Sequence, residues 1–593
     1  MFFGNKIVRG LEKNRGENMW LLLKEQRSLL LRNFVNLIMV LSLSYTFGQE
    51  MVDAASAETA DSVYVNGTVI TMDSDDNIVE AVAVKDGRIV AAASNQQILR
   101  LVDKDTKVID LSGKFVLPGF YAAHDHLPGA GTAALFKVDL NSPPIGKIRN
   151  MTELIAALKA RADNTSEGKW VVGRGYDDTL LAEKRHPTRV DLDKVSTVHP
   201  IWIQHTSGHL GVANSLALKM AKITKDTPDP TGGVICKDAV TGEPTGVFEE
   251  CGGKVTRLIP AQTKEQIDEA IQWCSKHYAS KGVTTTMIAS GNKGQIDNLK
   301  RALEKGLLDL RVVSMTSMND AQPSRKLLAD VDPNRLKVTA VKMFHDGSNQ
   351  GYTGYFSKPY YTPYKGNPEY RGYPRRSREA LVDMVKKAHR AGYQVAIHGN
   401  GDAAIDDIIY AFEQAQKEYP RADTRHRIEH CQMVREDQLD KMKTLGITPS
   451  FFAGHVYYWG DRHRDIFMGP ERAARISPLK SSVARRMRFT IHNDTPVTPV
   501  NPLHLVWVAV NRLTKSNKVL GPQQRISVKE ALRAVTIDAA WQNFEEEIKG
   551  SIEAGKLADF VILAENPLAV KAAGIKDIAI LETIVGGRTV YKR

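Results

Sequence analysis

Two histidines one residue apart, His124 and His126, follow the apolar run 115–118. In a β-strand, residues i and i+2 point to the same face. At the end of a strand this spacing lets both imidazoles bind one cation. A lone H-x-H pair is more often incidental than metal-binding, so its meaning depends on what the rest of the chain supplies.

Later apolar runs carry further residues of the metal-ligand type, each inside the run or just after it. In chain order these residues are Lys342, His398, His430 and Asp494. A histidine that closes a strand usually packs or hydrogen-bonds to the backbone. Five such strand ends in one chain are hard to explain as packing, and together they predict a metal site.

Hydrolytic metal sites need nitrogen and oxygen ligands that leave one coordination position for water, and this set supplies both. A bound cation lowers the pKa of water from about 15.7 towards 7 and polarises a carbonyl. Asp494 is the candidate catalytic residue that accepts the water's proton and delivers it to the leaving group. Asp-Thr-Pro also resembles the start of a helix, and the two roles are compatible.

The middle of the chain alternates apolar strands with amphipathic helices, which favours a parallel sheet with right-handed crossovers. Residues 264–281 and 378–391 are predicted helices, and residues 282–287 a predicted strand. The stretch of about 140–262 breaks this alternation, with several Gly and Pro and a hairpin-like segment at 238–244. We predict that it is an insertion near the mouth of an α/β barrel.

Both ends of the chain beyond the N-terminal leader are rich in β-type residues. The predicted strands are 62–72, 81–84, 88–92, 558–563 and 583–591. Asp86-Gly87 predicts a hairpin turn between the second and third of them. Two β-rich ends that flank an α/β middle predict one small shared β-sandwich.

The motifs together resemble the metal-dependent amidohydrolase superfamily, and within it the YtcJ-like branch, amidohydrolase family 3, over about residues 62–593. The landmarks are V-L-P-G-F-Y-A-A-H-D-H, G-Y-D-D-T, H-T-S-G-H-L-G-V-A-N-S, V-K-M-F-H-D-G-S, Q-V-A-I-H-G-N-G-D, R-I-E-H and H-N-D-T-P-V-T-P. The chain also resembles the secreted subgroup that contains an exoenzyme regulatory protein, AepA.

This resemblance implies an α/β fold, namely a (β/α)8 TIM-like barrel with a small β-sandwich formed by both chain ends. The expected segments are a leader at 1–57, sandwich parts at 62–118 and 548–593, and a barrel at 119–547 with its insertion at about 140–262. It also implies two divalent cations, with zinc as the default. The implied ligands are His124, His126, Lys342, His398, His430 and Asp494.

Lys342 needs a separate explanation because a free ammonium beside a cation is electrostatically unfavourable. The resemblance implies that its neutral amine captures carbon dioxide and becomes a carbamate that bridges two metals. The alternative is a snorkelling or salt-bridged lysine.

The run His205-Thr206-Ser207-Gly208-His209 has two interpretations. Either His205 or His209 is a catalytic residue that binds the substrate carbonyl or oxyanion, or the loop is structural and held by its own hydroxyls. The chain departs from the family pattern at His492-Asn493, where many relatives have Gly-Ser, and at His345, where a small residue is common. These departures concern the substrate rather than the mechanism.

The amino-acid composition limits the kinds of molecule that this chain is expected to bind. The net charge of +12 comes from 80 basic and 68 acidic residues spread along the chain. No long basic block with interleaved aromatics is present, so we do not expect nucleic-acid binding. None of the four cysteines forms a CxxC pair, which disfavours a zinc ribbon or a thioredoxin-like site. We expect all four cysteines to be free thiols, and the alternative is a disulfide between Cys236 and Cys251.

The N-terminus resembles an export signal. Arg27 and Arg32 precede the mostly apolar run 34–44, and residues 54–57 offer an A-x-A-type cleavage site. The run is shorter than the roughly 20 residues of a membrane span. We predict a cleaved Sec-type signal and a periplasmic or secreted protein with no stable membrane span. The alternative is an uncleaved tail.

The predicted function is that of an exported metal-dependent hydrolase of a non-peptide C–N bond. Its partner would be a small molecule such as an amide, a formamide or a cyclic amide. The sequence is also compatible with a homo-oligomer. The alternative is a regulatory protein on an amidohydrolase fold that stimulates production of extracellular enzymes, by catalysis or otherwise.

Overall fold

The computed structural model describes residues 59–593, so the predicted leader at 1–57 lies outside the described residues. The chain divides into two compact units. In the first, the N–H of Ala60 donates to the carbonyl of Leu101 at 2.9 Å. The second comprises residues 61–99 and 107–593 and contains all the features below. Within residues 59–593, no helix combines the length and the apolar character needed to cross a membrane.

An eight-stranded parallel sheet lies at the centre of the second unit. Its strands, numbered in chain order, are β1 Phe120–Ala122, β2 Val283–Gly291, β3 Arg311–Thr316, β4 Leu336–Phe344, β5 Gln394–Gly399, β6 Arg427–His430, β7 Thr448–Phe451 and β8 Thr490–Ile491. Beyond the two outer strands, Asp125 and Thr495 form a parallel bridge, and the N–H of His126 donates to the carbonyl of Thr495 at 3.0 Å. The sheet is therefore TIM-barrel-like, and the carboxyl ends of its strands form one rim.

Amphipathic helices pack around this sheet. The longer ones are Lys264–Ala279, Lys293–Glu304, Met318–Leu327, Arg378–Arg390, Asp402–Glu418, Glu436–Thr444 and Pro502–Asn511. The other α-helices of the described residues, some of which pack on other sheets, are Asn95–Leu99, Gly129–Phe136, Met151–Ala162, Arg189–Asp193, Ser215–Met220, Gly253–Thr256, His455–Tyr458, Gly460–Arg462, Gly469–Ala473, Leu479–Ala484, Val528–Ala534 and Ile537–Gln542.

The two predicted helices and the predicted strand are confirmed, with ends shifted by up to four residues. The first helix begins after Thr263, whose side chain accepts from the N–H of Gln266 at 3.2 Å. The Gln266 side chain in turn accepts from the N–H of Thr263 at 3.0 Å. This capping box satisfies two N–H groups that a helix start leaves without partners.

A second sheet, which has six strands, lies in the region predicted as an insertion. Its strands are Val138–Asp139, Val171–Tyr176, Ile201–His205, Leu210–Ala213, Val234–Lys237 and Pro244–Glu249. The last two pair antiparallel, as expected for the hairpin at 238–244. Cys236 and Cys251 are free thiols, so the disulfide that the sequence left open is absent.

Strands from both ends of the described chain lie in one further sheet. Phe560–Leu563 pairs antiparallel with Phe115–Pro118, and the remaining strands are Thr68–Ile70, Ile78–Val79, Ile580–Val585 and Arg588–Lys592. A four-stranded sheet, Ser62–Val65, Ala81–Lys85, Arg88–Ala93 and Lys107–Asp110, shares a hydrophobic cluster with it. The two-part sandwich with boundaries 62–118 and 548–593 stays a prediction.

The predicted hairpin at Asp86-Gly87 joins two strands of the four-stranded sheet. Asp86 has φ +49° and Gly87 has φ +73°. Both angles lie in the left-handed region that two-residue hairpin turns of this type require. Below the rim, the C-terminal segment is tied to the barrel by a buried ion pair in which Arg311 Nη2 lies 2.8 Å from Asp559 Oδ1.

Candidate metal centre and active site

All six residues of the predicted ligand set line one cavity of about 480 Å³ at the rim of the parallel sheet. His124 and His126 follow β1, Lys342 lies near the end of β4, His398 lies in β5, His430 ends β6, and Asp494 follows β8. Parallel strands bring side chains far apart in sequence to the same rim. The opposite wall of the cavity comes from the inserted region, including Trp202, His209 and Glu250.

The Asp494 carboxylate lies among three histidines. Its Oδ1 is 2.9 Å from His126 Nε2 and 3.6 Å from His124 Nε2. Its Oδ2 is 3.9 Å from His430 Nδ1. Ligand atoms of His124, His430 and Asp494 all lie within 4.8 Å of one another, which is close enough for one cation to contact all three.

His398 adjoins this group on the β5 side. Its ring centroid is 4.4 Å from that of His430, and its Nε2 lies 3.0 Å from the carbonyl oxygen of Gly347. The ring of His209, from the inserted region, is 5.1 Å away. His398 therefore connects the histidine group to the opposite wall of the cavity.

Burial sets the charge state of these imidazoles. It lowers the pKa of His124, His398 and His430 well below the usual value, so their neutral forms predominate near pH 7. Burial raises the pKa of Asp494, but interaction with His124 and His126 outweighs it and lowers that pKa. Neutral imidazoles and an ionised carboxylate are the forms that ligate a divalent cation.

Lys342 is 6% exposed, and its Nζ has no hydrogen-bond partner among residues 59–593. Burial lowers its pKa to about 8, although Glu429 and Asp494 oppose that change. His430 Nδ1 is likewise buried without a hydrogen-bond partner in the described chain. Such buried polar atoms cost free energy unless a ligand satisfies them. The residues present therefore fit a bound divalent cation.

Two of the ligand residues have a strained backbone. His430 has φ +68° and Asp494 has φ +55°, and neither is a glycine. Each such conformation costs on the order of 1–3 kcal/mol and persists where surrounding structure fixes it. His430 is the last residue of its strand, Asp494 lies three residues beyond its strand, and both line the cavity.

Glu429 orients His124 and was not identified from the sequence. His124 Nδ1 contacts Glu429 Oε2, and Arg427 Nε lies 2.7 Å from Glu429 Oε1. With Nδ1 occupied, Nε2 of His124 is the nitrogen that faces Asp494. The R-I-E-H motif places Arg427 and Glu429 on one face of the strand, but nothing in it pairs Glu429 with His124.

The two departures from the family pattern have different environments. His492 stacks on His124, with ring centroids 4.7 Å apart, and neither of its nitrogens has a hydrogen-bond partner in the described part of the chain. His345 Nε2 lies 2.8 Å from Asp407 Oδ2, and His345 does not line the cavity. The His492 ring therefore stacks on a candidate metal ligand, whereas His345 contacts the candidate ligand set through its backbone N–H, which donates to the carbonyl of His398 at 3.1 Å.

The structure separates the two candidate catalytic histidines of the inserted region. His209 lines the cavity, and its Nδ1 lies 2.9 Å from Glu250 Oε2. His205 is fully buried outside the cavity lining, with Nε2 3.1 Å from Asp178 Oδ1 and Nδ1 2.8 Å from Ser207 Oγ. Between them, Gly208 has φ +79°, which turns the chain.

Glu250 is a second site residue that was not identified from the sequence. Its side chain is buried, lies 3.2 Å from Arg375 Nη1 and accepts a hydrogen bond from Thr353 Oγ1 at 2.8 Å. Nothing in the local sequence distinguishes it from a surface acid. Its contact with His209 leaves Nε2 of that imidazole for the cavity side.

The family model described as "Amidohydrolase family" matches residues 107–591. The chain belongs to the amidohydrolase family. It is 28% identical over 546 residues to an N-substituted formamide deformylase of Arthrobacter pascens, covering 90% of this chain and 98% of that protein. It is 27% identical over 548 residues to Bacillus subtilis YtcJ, named as an amidohydrolase, covering 90% of this chain and 99% of YtcJ.

The chain is also similar to a regulatory protein and to a hydrolase of solved structure. The exoenzymes regulatory protein AepA of Pectobacterium carotovorum is 28% identical over 378 residues, which are 61% of this chain and 78% of AepA. A metal-dependent hydrolase of Pyrococcus horikoshii has a solved structure that aligns with TM-score 0.67 and 27% identity, over 86% of this chain and 99% of that one. The predicted family resemblance is therefore confirmed.

Proposed function

We propose that this amidohydrolase cleaves a non-peptide C–N bond of a small amide, formamide or cyclic amide by metal-assisted attack of water. The observation that carries the proposal is the convergence of six ligand-type residues from five strand ends on one cavity. A protein that only bound a partner would have no physical need for this arrangement. The N-substituted formamide deformylase similarity supports formamides as the first substrate class to test.

A divalent cation held by His124, His126, Lys342, His398, His430 and Asp494 would supply Lewis-acid activation of water and of the scissile carbonyl. Asp494 would accept the proton of the attacking water and donate it to the leaving nitrogen, since its carboxylate lies among the ligands. His209, oriented by Glu250, would donate through Nε2 to the oxygen that gains negative charge. Glu429 would hold His124 in its ligating orientation.

We further propose that the site would hold two zinc ions and that Lys342 is carboxylated, so that it would supply an anionic oxygen ligand in place of an ammonium group. In that step the neutral amine adds to the carbon of carbon dioxide, forms a C–N bond and releases one proton to give a carbamate anion. The buried and unpartnered Nζ of Lys342 supports this assignment. A mass increase of one carbon dioxide on the peptide that contains Lys342, under native conditions, is the expected result.

The test of the proposed function combines metal analysis with a substrate screen. The purified protein, loaded with zinc, would be assayed against N-substituted formamides, acetamides and cyclic amides, with Asp494→Asn as the inactive control. Hydrolysis by the parent protein and not by the variant supports the proposal. No hydrolysis of any of these compounds by protein with full metal content contradicts it.

A regulatory role is the second candidate, and the similarity to AepA favours it. It is separable from catalysis by complementation. If Asp494→Asn supports normal production of extracellular enzymes in a strain that lacks the protein, then regulation does not need hydrolysis. If production falls with activity, regulation follows from the reaction.

Export to the periplasm or medium is also part of the proposal. The predicted signal lies outside the described residues, so N-terminal sequencing of the mature protein is the test. We expect a start near Glu58, and a cytoplasmic protein that retains residues 37–44 would contradict the proposed location.

A further inference from the structure

Four lysine and arginine side chains line the cavity that contains the candidate metal ligands, and they differ in their partners. Lys342 belongs to the ligand set, and Arg375 is paired with Glu250 at 3.2 Å. The other two are Lys137 and Arg174. Neither forms an ion pair with any carboxylate among residues 59–593. This part of the wall therefore carries positive charge that the protein does not neutralise.

Lys137 directly follows the helix Gly129–Phe136, which begins three residues after His126. Its backbone N–H donates to the carbonyl of Ala133 at 3.3 Å, but its ammonium group has no acceptor in the described chain. The residue is half-buried. Burial lowers the pKa of Lys137 to about 8, and the nearby Arg174 acts in the same direction. An ammonium group in this setting is stabilised by an anion from outside the chain.

Arg174 lies in the inserted sheet and is 8% exposed. Its Nη1 donates to the carbonyl oxygen of Pro496, two residues beyond Asp494. That bond uses one of the five N–H donors of the guanidinium group. Asp494 and Asp139 interact with it electrostatically without forming an ion pair. The guanidinium is thus fixed beside the loop that carries Asp494 and still has free donors.

We propose that Lys137 and Arg174 form a subsite for a carboxylate group of the substrate. This inference rests on the proposed function and narrows it to amides or formamides of amino-acid-like compounds. A guanidinium fork and an ammonium group together match the two oxygens of a carboxylate. The bond from Arg174 to Pro496 places this subsite next to Asp494, so the carboxylate would lie close to the scissile C–N bond.

The test compares two substrates that differ by one carboxylate, namely N-formylphenylalanine and N-(2-phenylethyl)formamide. The readout is the ratio of their kcat/KM values with the zinc-loaded protein. We expect the acidic compound to be preferred by about tenfold or more, because a desolvated charge pair contributes at least that factor. Lys137→Met should lower this ratio about tenfold or more, mainly through a higher KM for the acidic compound.

The matched control is Lys147→Met, which removes the same charge from an exposed lysine outside the cavity lining. It should leave the ratio unchanged. Lys137→Glu should invert the preference, because a carboxylate at this position repels the acidic substrate. Substitution of Arg174 would be a less specific test, because its bond to Pro496 also supports the loop of Asp494. Metal content and circular dichroism of each variant verify that the site and the fold are intact.

Two results would overturn the subsite while leaving the proposed function in place. They are a ratio near one in the parent protein and a ratio that Lys137→Met does not change. If neither compound is hydrolysed at full metal content, the proposed function fails for formamides. Calorimetric binding of N-formylphenylalanine then decides the subsite, since Lys137→Met should weaken it about tenfold or more, and equal affinity overturns it.

Discussion

The two walls of the cavity come from regions that are built in different ways. On one side, the rim of the parallel sheet holds the predicted metal-ligand set at the ends of five strands. On the other side, the inserted region between 138 and 256 contributes His209, Glu250 and Arg174 from a separate sheet and its loops. Every residue of the first group was identified from the sequence, whereas only His209 of the second was.

This difference has a structural cause. Parallel strands in a curled sheet have one fixed direction, so a ligand at a strand end must lie at the common rim. The inserted sheet has mixed strand directions and long loops, so position along a strand does not say which way a residue faces. In our proposal the rim carries metal binding and proton transfer, and the insertion carries the donor to the developing oxyanion and part of substrate recognition.

Metal removal is the strongest test of the rim. We expect a chelator to abolish hydrolysis and zinc to restore it, because the proposed chemistry needs the cation. The free energy of unfolding should also fall, since a ligand that binds only the folded state stabilises it. Activity and unfolding by denaturant, measured with and without zinc, provide the check. Full activity in verified metal-free protein would place the chemistry elsewhere.

Asp494→Asn separates proton transfer from metal binding on the same wall. The change keeps the size of the side chain but removes the basic oxygen, so we expect kcat to fall by about 10²- to 10⁴-fold. Metal content, measured by mass spectrometry, should be retained. Near-native turnover with normal metal content would mean that another group carries the proton. Of the two histidines that depart from the family pattern, His492 has its ring stacked on His124, whereas the ring of His345 contacts Asp407.

His209 and His205 test the opposite wall as a matched pair of histidines from one loop. His209→Ala should lower kcat by about 10²- to 10³-fold, as loss of a donor to the developing oxyanion does. His205→Ala should instead lower the free energy of unfolding by about 1–3 kcal/mol, because Asp178 loses a buried partner. Steady-state kinetics and urea unfolding of both variants distinguish the roles. Equal kinetic losses would contradict the separation seen in the structure.

Of the substitutions at the cavity, Glu250→Gln should lower the catalytic activity least. It keeps the shape of the side chain but weakens the hold on His209 and Arg375. We expect about a tenfold loss of kcat/KM, the lower end of the range for residues that orient a functional imidazole. Glu243→Gln, a change at a more exposed acid of the same inserted region, is the control. A loss as large as that of His209→Ala would show that Glu250 acts directly on the substrate.

Prediction from sequence succeeded where a pattern has a single structural meaning. The helix after Thr263 and the hairpin at Asp86-Gly87 are of this kind, since capping and turn chemistry are local. Local patterns of this kind could not decide whether Cys236 and Cys251 form a disulfide. Both thiols lie on the same hairpin but donate to different acceptors, Glu249 and the carbonyl of Val234.

The sequence by itself determined the family, the residue types of the candidate ligands and their order along the chain. It could do so because the motifs and the strand periodicity around them are local properties that each segment carries. Only the tertiary structure decided that Glu429 orients His124, that Glu250 holds His209, and that Lys137 and Arg174 face the cavity without a carboxylate partner. Each of these facts depends on the packing of segments distant in the chain, and such packing leaves no spacing pattern in the sequence.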